Sequence, residues 1–432
     1  MFTRLRRAVA RSLISAGESM WWRSTGAGGL STPSGVTVTP SVAMQQTTIA
    51  RCVGLIADTA AMMPLLLYER RVPGPGRDEL PDHPIAQLVT LRPNEWQTPF
   101  EFWRHVYVHT ALRGNGYAYL IRDGVGRVTE MLPLHSDFVS VYIAADRTPV
   151  YEFGFPYSGD RHRVTAGSIL HLRWRGDDGY LGVSPVRLAA KAIGLSIAVE
   201  EHGARFFGDG ARAGGVLSIP GKLSKDAVQR VRAQWEAQHS GIQGSRKVTV
   251  VSDGATYNTI SVTPEESQFL ESRGFQVEDM CRIYGVPPFL AGATSKVTSW
   301  GTGLEQQLKG FLSLTQLPWL TMGAQAARRD LLMPDERRRM FFEHDTDVLT
   351  GADVLARAQA AQIWLLNGVL NPNEVRADEG RNPYDGGDAY RVPANTLPQG
   401  ADGVRAFAQA LLALADQADR KPAAIAPEDG DA

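Results

Sequence analysis

Residues 182–207 read GVSPVRLAAKAIGLSIAVEEHGARFF, and residues 263–288 read TPEESQFLESRGFQVEDMCRIYGVPP. Each is a long helix with its own start and stop. In the first, Val186, Ala190, Ile193, Ile197 and Ala204 recur at helical spacing, with Glu200 and Glu201 elsewhere on the wheel. Ser184 before Pro185 supplies an N-cap followed by proline in the first turn, and GDGARAGG terminates the helix. The second opens on Thr263-Pro264, with Glu265 and Glu266 suited to a helix N-terminus. Its stripe is Leu270, Gly274, Val277, Cys281 and Tyr284, and Gly285-Val286-Pro287-Pro288 stops it. Between them lies a module reading strand (GVLSIP), helix (Leu223 to His239, capped by Ser224), strand (KVTVVSDG) and strand (TYNTISV). It is too short for a large core of its own, so the plan is a small insert between two long helices.

Upstream, Gly26 to Pro40 is a Gly/Ser/Thr/Pro linker. The spacing of Ile49, Val53, Ile56 and Ala60 predicts a helix over 41–63, ended by Pro64. LLLYER (65–70) is a strand; helices follow over 83–92 and 98–113, the latter capped by Thr98. Five strand signals then lead to Gly182. This is an α/β unit with a mixed, largely antiparallel sheet. Downstream, Phe289 to Gly303 reads as an exposed loop, Leu304 to Leu332 as a third long helix kinked at Pro318, and RRMFFEHDTD as a strand. A helical pair (351–366 and 372–379), an amphipathic helix (404–418) and a polar tail close the chain. The fold class is α+β.

The 432 residues carry 45 Lys+Arg against 46 Asp+Glu, a net charge of −1, with 43% apolar residues. That balance excludes a wholly disordered chain and a strongly basic nucleic-acid coat. No apolar run reaches the ~18 residues of a membrane span. Cys52 and Cys281 fit neither a disulfide framework nor a zinc ribbon and read as two buried, reduced thiols. Only seven of the basic residues are lysines, which makes each placement informative; Lys296 stands alone between Lys247 and Lys309. The first residues carry Arg4, Arg6, Arg7 and Arg11 and read as a mobile basic arm over 1–37.

Reaction centres are poorly supported. Gly182-Val183-Ser184-Pro185-Val186 begins like a nucleophile elbow without its second glycine. Gly114-Asn115-Gly116 precedes a strand, the wrong order for phosphate binding. His105 and His109 share a helix face, with Glu101 the one nearby third ligand. Glu343, His344, Asp345 and Asp347 form an acidic cluster at a strand end, where helix capping is the simpler use. The pattern therefore favours a structural protein with no cofactor, no metal and no catalytic residues. A hydrolase using Ser184 or the acidic cluster is the alternative from another class.

Further stretches, taken in order, carry a resemblance. They are Arg113-Gly-Asn-Gly-Tyr-Ala-Tyr-Leu120, Met131-Leu-Pro-Leu134, His171-Leu-Arg173, Gly182 to Val186, Phe206-Phe-Gly-Asp-Gly210 and Gly215-Val-Leu217. Gln268-Phe-Leu-Glu-Ser-Arg273, Tyr284 to Leu290, Asn371-Pro-Asn-Glu-Val-Arg376 and Gly386-Gly387-Asp388 follow. With them the chain resembles the HK97-type portal proteins of tailed bacteriophages from roughly Pro40 to Gly400. The resemblance implies a portal fold with a mixed-sheet wing (38–183, and 304–350 after the loop), stem helices (184–208 and 264–285), an α/β clip (209–263), a tunnel loop (286–303), a helical crown (351–417) and a disordered tail (418–432).

It also implies a ring, typically of twelve copies, at one capsid vertex of the virion, assembled in the host cytoplasm. That ring would pass double-stranded DNA during packaging and ejection without reading its sequence. Its partners would be the terminase large subunit, a head–tail adaptor and the major capsid or scaffold protein, with no membrane. A capsid subunit is the nearest alternative, but it would lack the helix–module–helix plan. Given the resemblance, Lys296, Ser295 and Thr298 are expected to touch DNA phosphates from the tunnel loop. Lys222, Lys225, Arg230, Arg232 and Glu236 are expected to meet partners from the clip helix. Trp300-Gly301-Thr302-Gly303 is richer in glycine than the family's usual helix start, so the loop's end is expected to shift.

Overall fold

A computed structural model describes residues 21–24, 28–71, 76–155, 159–176, 178–208, 215–218, 229, 256–259, 265–293, 302–346 and 354–390, with positions 405, 408, 409 and 412. The chain divides into two compact units, Met1–Asp345 and Thr346–Ala432.

The first unit opens with β1 (Trp21–Ser24), β2 (Leu30–Ser31) and β3 (Thr37–Val38). Part of the segment expected to be an arm is therefore strand: β1 lies antiparallel to residues 140–143, Trp21 opposite Ile143. The helix expected over 41–63 is two, α1 (Pro40–Ala43) and α2 (Thr47–Met62). Thr39 caps α1 by accepting the Val42 amide, and a turn at Met44–Gln46 separates the two. One face of α2 is buried through Ile49, Cys52, Val53, Ile56, Ala57 and Ala60. After Pro64 come β4 (Leu65–Arg70), β5 (Arg77–Glu79), α3 (Pro84–Thr90) and α4 (Pro99–Arg113). The expected Thr98 cap is a full capping box: its hydroxyl accepts the Glu101 amide, and Glu101 accepts from the Thr98 amide at 2.8 Å. α2 and α4 pack on each other through Phe102, Trp103, Val106 and Tyr107, all buried.

β6 (Asn115–Arg122), β7 (Val128–Leu134), β8 (Val139–Ile143), β9 (Pro149–Gly154), β10 (Arg161–Thr165) and β11 (Ile169–Arg173) follow. The largely antiparallel pairing expected of this run is what forms, but not as one sheet. The strands fall into separate sheets of order β1-β8-β9-β10 and β11-β6-β7, and every described pairing is antiparallel. For the sequential pairs β6–β7, β8–β9 and β9–β10, the connections are too short for a parallel crossover. β10 escapes the sequence pattern because it is a polar edge strand, RHRVT, with no apolar alternation. Tyr117, Leu134, Val139, Val141, Tyr151, Phe153 and Ile169 form the core between these sheets.

The first long helix expected from the sequence is two, α5 (Pro185–Leu188) and α6 (Ala190–Gly208). β12 (Gly215–Ser218) pairs antiparallel with β13 (Thr256–Thr259), and α7 (Glu265–Tyr284) returns against α6. Next come α8 (Thr302–Gly310), a π-helical segment (Phe311–Gln316) and α9 (Leu317–Leu331). The break expected at Pro318 lies just before it. The Leu317 amide reaches back to Leu312, so the wide turn is complete before the residue without an N–H, and Pro318 falls in the first turn of α9. β14 (Met340–His344) joins β4 and β5 in a third sheet.

The second unit contains α10 (Val354–Leu366) and α11 (Pro372–Asp378). Asn371 and Glu374 form a capping box on α11. Asn373 donates to Tyr384 O (3.1 Å) and Asp388 Oδ1 (2.9 Å) and accepts the Tyr384 amide (3.0 Å), folding the Gly386-Gly387-Asp388 stretch back on the helix. Among the described residues, no helix is long and apolar enough to cross a membrane.

Three buried histidines of the first unit are held neutral. Burial lowers His109 to about 2 and His344 to about 4, and holds His171 well below its ordinary value. Their folded values lie below the unfolded value near 6.5, so below pH 6.5 the unfolded chain binds protons that the folded chain refuses. Stability therefore falls as pH falls. At pH 5 the loss is about 2 kcal/mol each for His109 and His344, and His171 adds in the same direction. The thermal midpoint is expected to drop by roughly 10 °C or more between pH 7 and pH 5; a flat profile would refute the assignment.

Candidate functional site

Two joints tie the long helices α5–α6 and α7 to the strands and helices around them. At the first, Asn115 on β6 meets the backbone of Gly182, just ahead of α5. Its Nδ2 donates to Gly182 O (2.8 Å), and its Oδ1 accepts the Gly182 amide (2.8 Å) and His171 Nε2 (3.0 Å). Because Oδ1 can only accept, His171 carries its proton on Nε2, and its Nδ1 takes the Tyr151 hydroxyl at 3.0 Å. Ser136 Oγ donates to Asn115 O at 2.7 Å, and Ser184 Oγ donates to Leu112 O at 2.7 Å. Gly182 is obligatory: a Cβ there would lie 2.0 Å from Gly114 O.

The second joint lies at the end of α7. Gly285 (φ +68°) reverses the chain, and Thr315 Oγ1 donates to its carbonyl at 2.6 Å. Gln316 Nε2, buried in the π segment, donates to Ile56 O of α2 at 3.1 Å. Arg51 Nε, also on α2, donates to Leu290 O at 3.1 Å. Cys52 and Cys281 bring their Sγ atoms to 4.0 Å. Helices α2 and α7, the π segment and residues 286–293 therefore converge at the base of the expected tunnel loop.

Ser295, Lys296 and Thr298 lie outside the described residues, as do Lys222, Lys225, Arg230, Arg232 and Glu236 and the arginines of the N-terminal arm. The described part of the other candidates is structural. Ser184 is an N-cap that accepts the Arg187 amide. Strand alternation splits the acidic cluster: Glu343 pairs with Arg77 while His344 turns inward to Met63 O at 3.0 Å. Glu101 is engaged in its capping box and leaves His105 and His109 without it. A third imidazole, His135, joins them with ring centres 4.5 Å from His109, a neighbour that no sequence spacing shows. The rings lie over and across one another rather than converging their nitrogens. Among the described residues, no group of three or more His, Cys, Asp or Glu is placed to hold a metal.

The helices α5, α6 and α7 also expose large apolar side chains. Leu188 and Leu195, seven positions apart, are 65% and 55% exposed, and Phe275 on α7 is 57% exposed.

The family model described as phage portal protein matches residues 47–380. The portal protein of Enterobacteria phage HK97 is 30% identical over 358 residues, covering 82% of this chain and 83% of that protein. The probable portal protein of Streptomyces phage phiC31 is 31% identical over 374 residues, covering 84% and 80%. Among solved structures, a chain in the neck of a native gene transfer agent particle, computed with C12 symmetry, aligns with a TM-score of 0.54 at 22% identity, covering 88% of this chain and all of that one. An HK97 family phage portal protein from Corynebacterium diphtheriae aligns with a TM-score of 0.54 at 17% identity, covering 74% and 99%.

The first joint leaves little tolerance. Asn115→Leu strands the Gly182 amide and carbonyl and the His171 donor in a dry site, and is expected to cost about 3 kcal/mol or more. The midpoint of denaturant unfolding measures this, and an unchanged midpoint would contradict the joint.

Proposed function

The chain belongs to the phage portal protein family, and we propose that copies of it form a ring at one capsid vertex through which double-stranded DNA enters and leaves. Twelve copies, the symmetry of the gene transfer agent neck, is the number we favour. The observation that carries the ring is a set of large, exposed apolar side chains on the long-helix region: Leu188 on α5, Leu195 on α6 and Phe275 on α7. A helix pair with such side chains gains by covering them. Side-by-side stems in a closed ring achieve this, the first helix of one copy meeting the second helix of the next.

The channel's task is to let DNA slide. A strongly basic wall would engage many phosphates and hold the duplex. At −1 per chain, the ring has no such excess. Lys296, with Ser295 and Thr298, is proposed to make brief phosphate contacts from the segment anchored at the second joint. The clip residues Lys222, Lys225, Arg230, Arg232 and Glu236 are proposed to face a terminase large subunit during packaging and a head–tail adaptor afterwards. The wing and crown are proposed to face capsid or scaffold protein. ATP hydrolysis is assigned to the terminase, and the portal's own role is structural. Assembly would take place in the host cytoplasm.

Two outcomes follow. Leu195→Glu and Phe275→Glu should each shift the protein from ring to monomer in sedimentation velocity while leaving its circular dichroism unchanged; rings that persist in both would reject this interface. Lys296→Ala should lower the yield of packaged DNA or slow its ejection. If neither changes, the lysine makes no functional contact.

A further inference from the structure

The second joint holds the chain's two cysteines, and no part of the portal reading uses them. Cys52 lies on the buried face of α2 and Cys281 near the end of α7, and their side chains are 0% and 1% exposed. They are far apart in sequence, yet their Sγ atoms face each other at 4.0 Å and both thiols are free. A disulfide needs the sulfurs at about 2 Å, so the two sulfurs must close by about 2 Å for this contact to become a bond. The pocket has a second unusual feature. Tyr284, one turn beyond Cys281, is buried with its hydroxyl unpaired and lies within the electrostatic reach of Cys52.

We propose that Cys52 and Cys281 are an oxidisable dithiol that closes into an intrachain disulfide, joining the second stem helix covalently to α2 at the base of the 286–303 segment. The bond lies within one chain, so the proposal does not rest on the ring. Cys52 donates its S–H toward Cys281, which favours the Cys281 thiolate and makes that sulfur the attacking one. With a peroxide as oxidant, the Cys281 sulfur attacks one peroxide oxygen, leaving a sulfenic acid and releasing one water. The Cys52 sulfur then attacks the sulfenic sulfur and expels a second water. Two thiols lose two protons and two electrons, and the peroxide is reduced to two waters. In a reducing cytoplasm the pair stays open; in oxidising surroundings it closes. Closed, it fixes α7 to α2 where Thr315 already binds Gly285 O and Arg51 binds Leu290 O.

The test uses the full-length protein. It is treated with hydrogen peroxide, capped with N-ethylmaleimide while folded, and analysed by intact mass and peptide mapping. The expected result is the loss of two hydrogens, no maleimide on either cysteine, and a single Cys52–Cys281 linked peptide. The thermal midpoint should rise by roughly 5–10 °C and return on reduction. Cys52→Ser and Cys281→Ser should each abolish both the link and the rise. Thiols that remain free, are oxidised singly without a link, or join different copies would overturn the proposal.

Discussion

The architecture depends on how one carboxamide is spent. Asn115 closes four hydrogen bonds in a buried site, two with the Gly182 backbone, one with His171 and one to Arg113 O. Buried polar groups of this kind are costly when unpaired, so the strand bearing Asn115 and the turn opening the stem can meet in one arrangement only. The Gly182 approach to Gly114 enforces the same arrangement sterically. A long helix magnifies any angular error at its base. A ring of such helices needs every copy to leave the wing at one angle.

The return path is held by different means. Gly285 turns the chain, Thr315 caps its carbonyl, and Gln316 reaches from a π segment into α2. π turns are uncommon and often sit where a helix serves function. Here the wide turn directs two polar side chains to two partners, and Pro318 then starts a regular helix. The second joint holds both flanks of the segment proposed to meet DNA, Gly285 before it and Thr315 after it. Near-neutral charge sharpens this picture: it argues against capture of DNA while remaining compatible with passage.

Much of the fold was legible because it rests on local rules. The Thr98 cap, the Ser184 cap ahead of Pro185, the proline stop after Met63 and the two long helices around the insert all follow from short-range chemistry. What stayed hidden depends on long-range geometry. The strands divide among separate antiparallel sheets because pairing partners are not encoded in alternation. β10 is a polar edge, and the π segment looks like ordinary helix in hydrophobic period. Of the site, the motif residues Gly114-Asn115-Gly116 and Gly182 to Val186 stood out, but as failed catalytic motifs and family marks. Their shared task shows only when β6 and the start of α5 come together. The cysteines are the plainest case: two isolated residues in the chain become one contact in space.

The central claim is that the stem builds a ring around an axial channel. Electron microscopy of the purified full-length protein, with class averages along the symmetry axis, tests it most directly. The account predicts closed rings with a central opening, stem helices lining the wall and the segment around Lys296 nearest the axis. Monomers, closed shells, or rings whose opening is lined by other parts of the chain would contradict it.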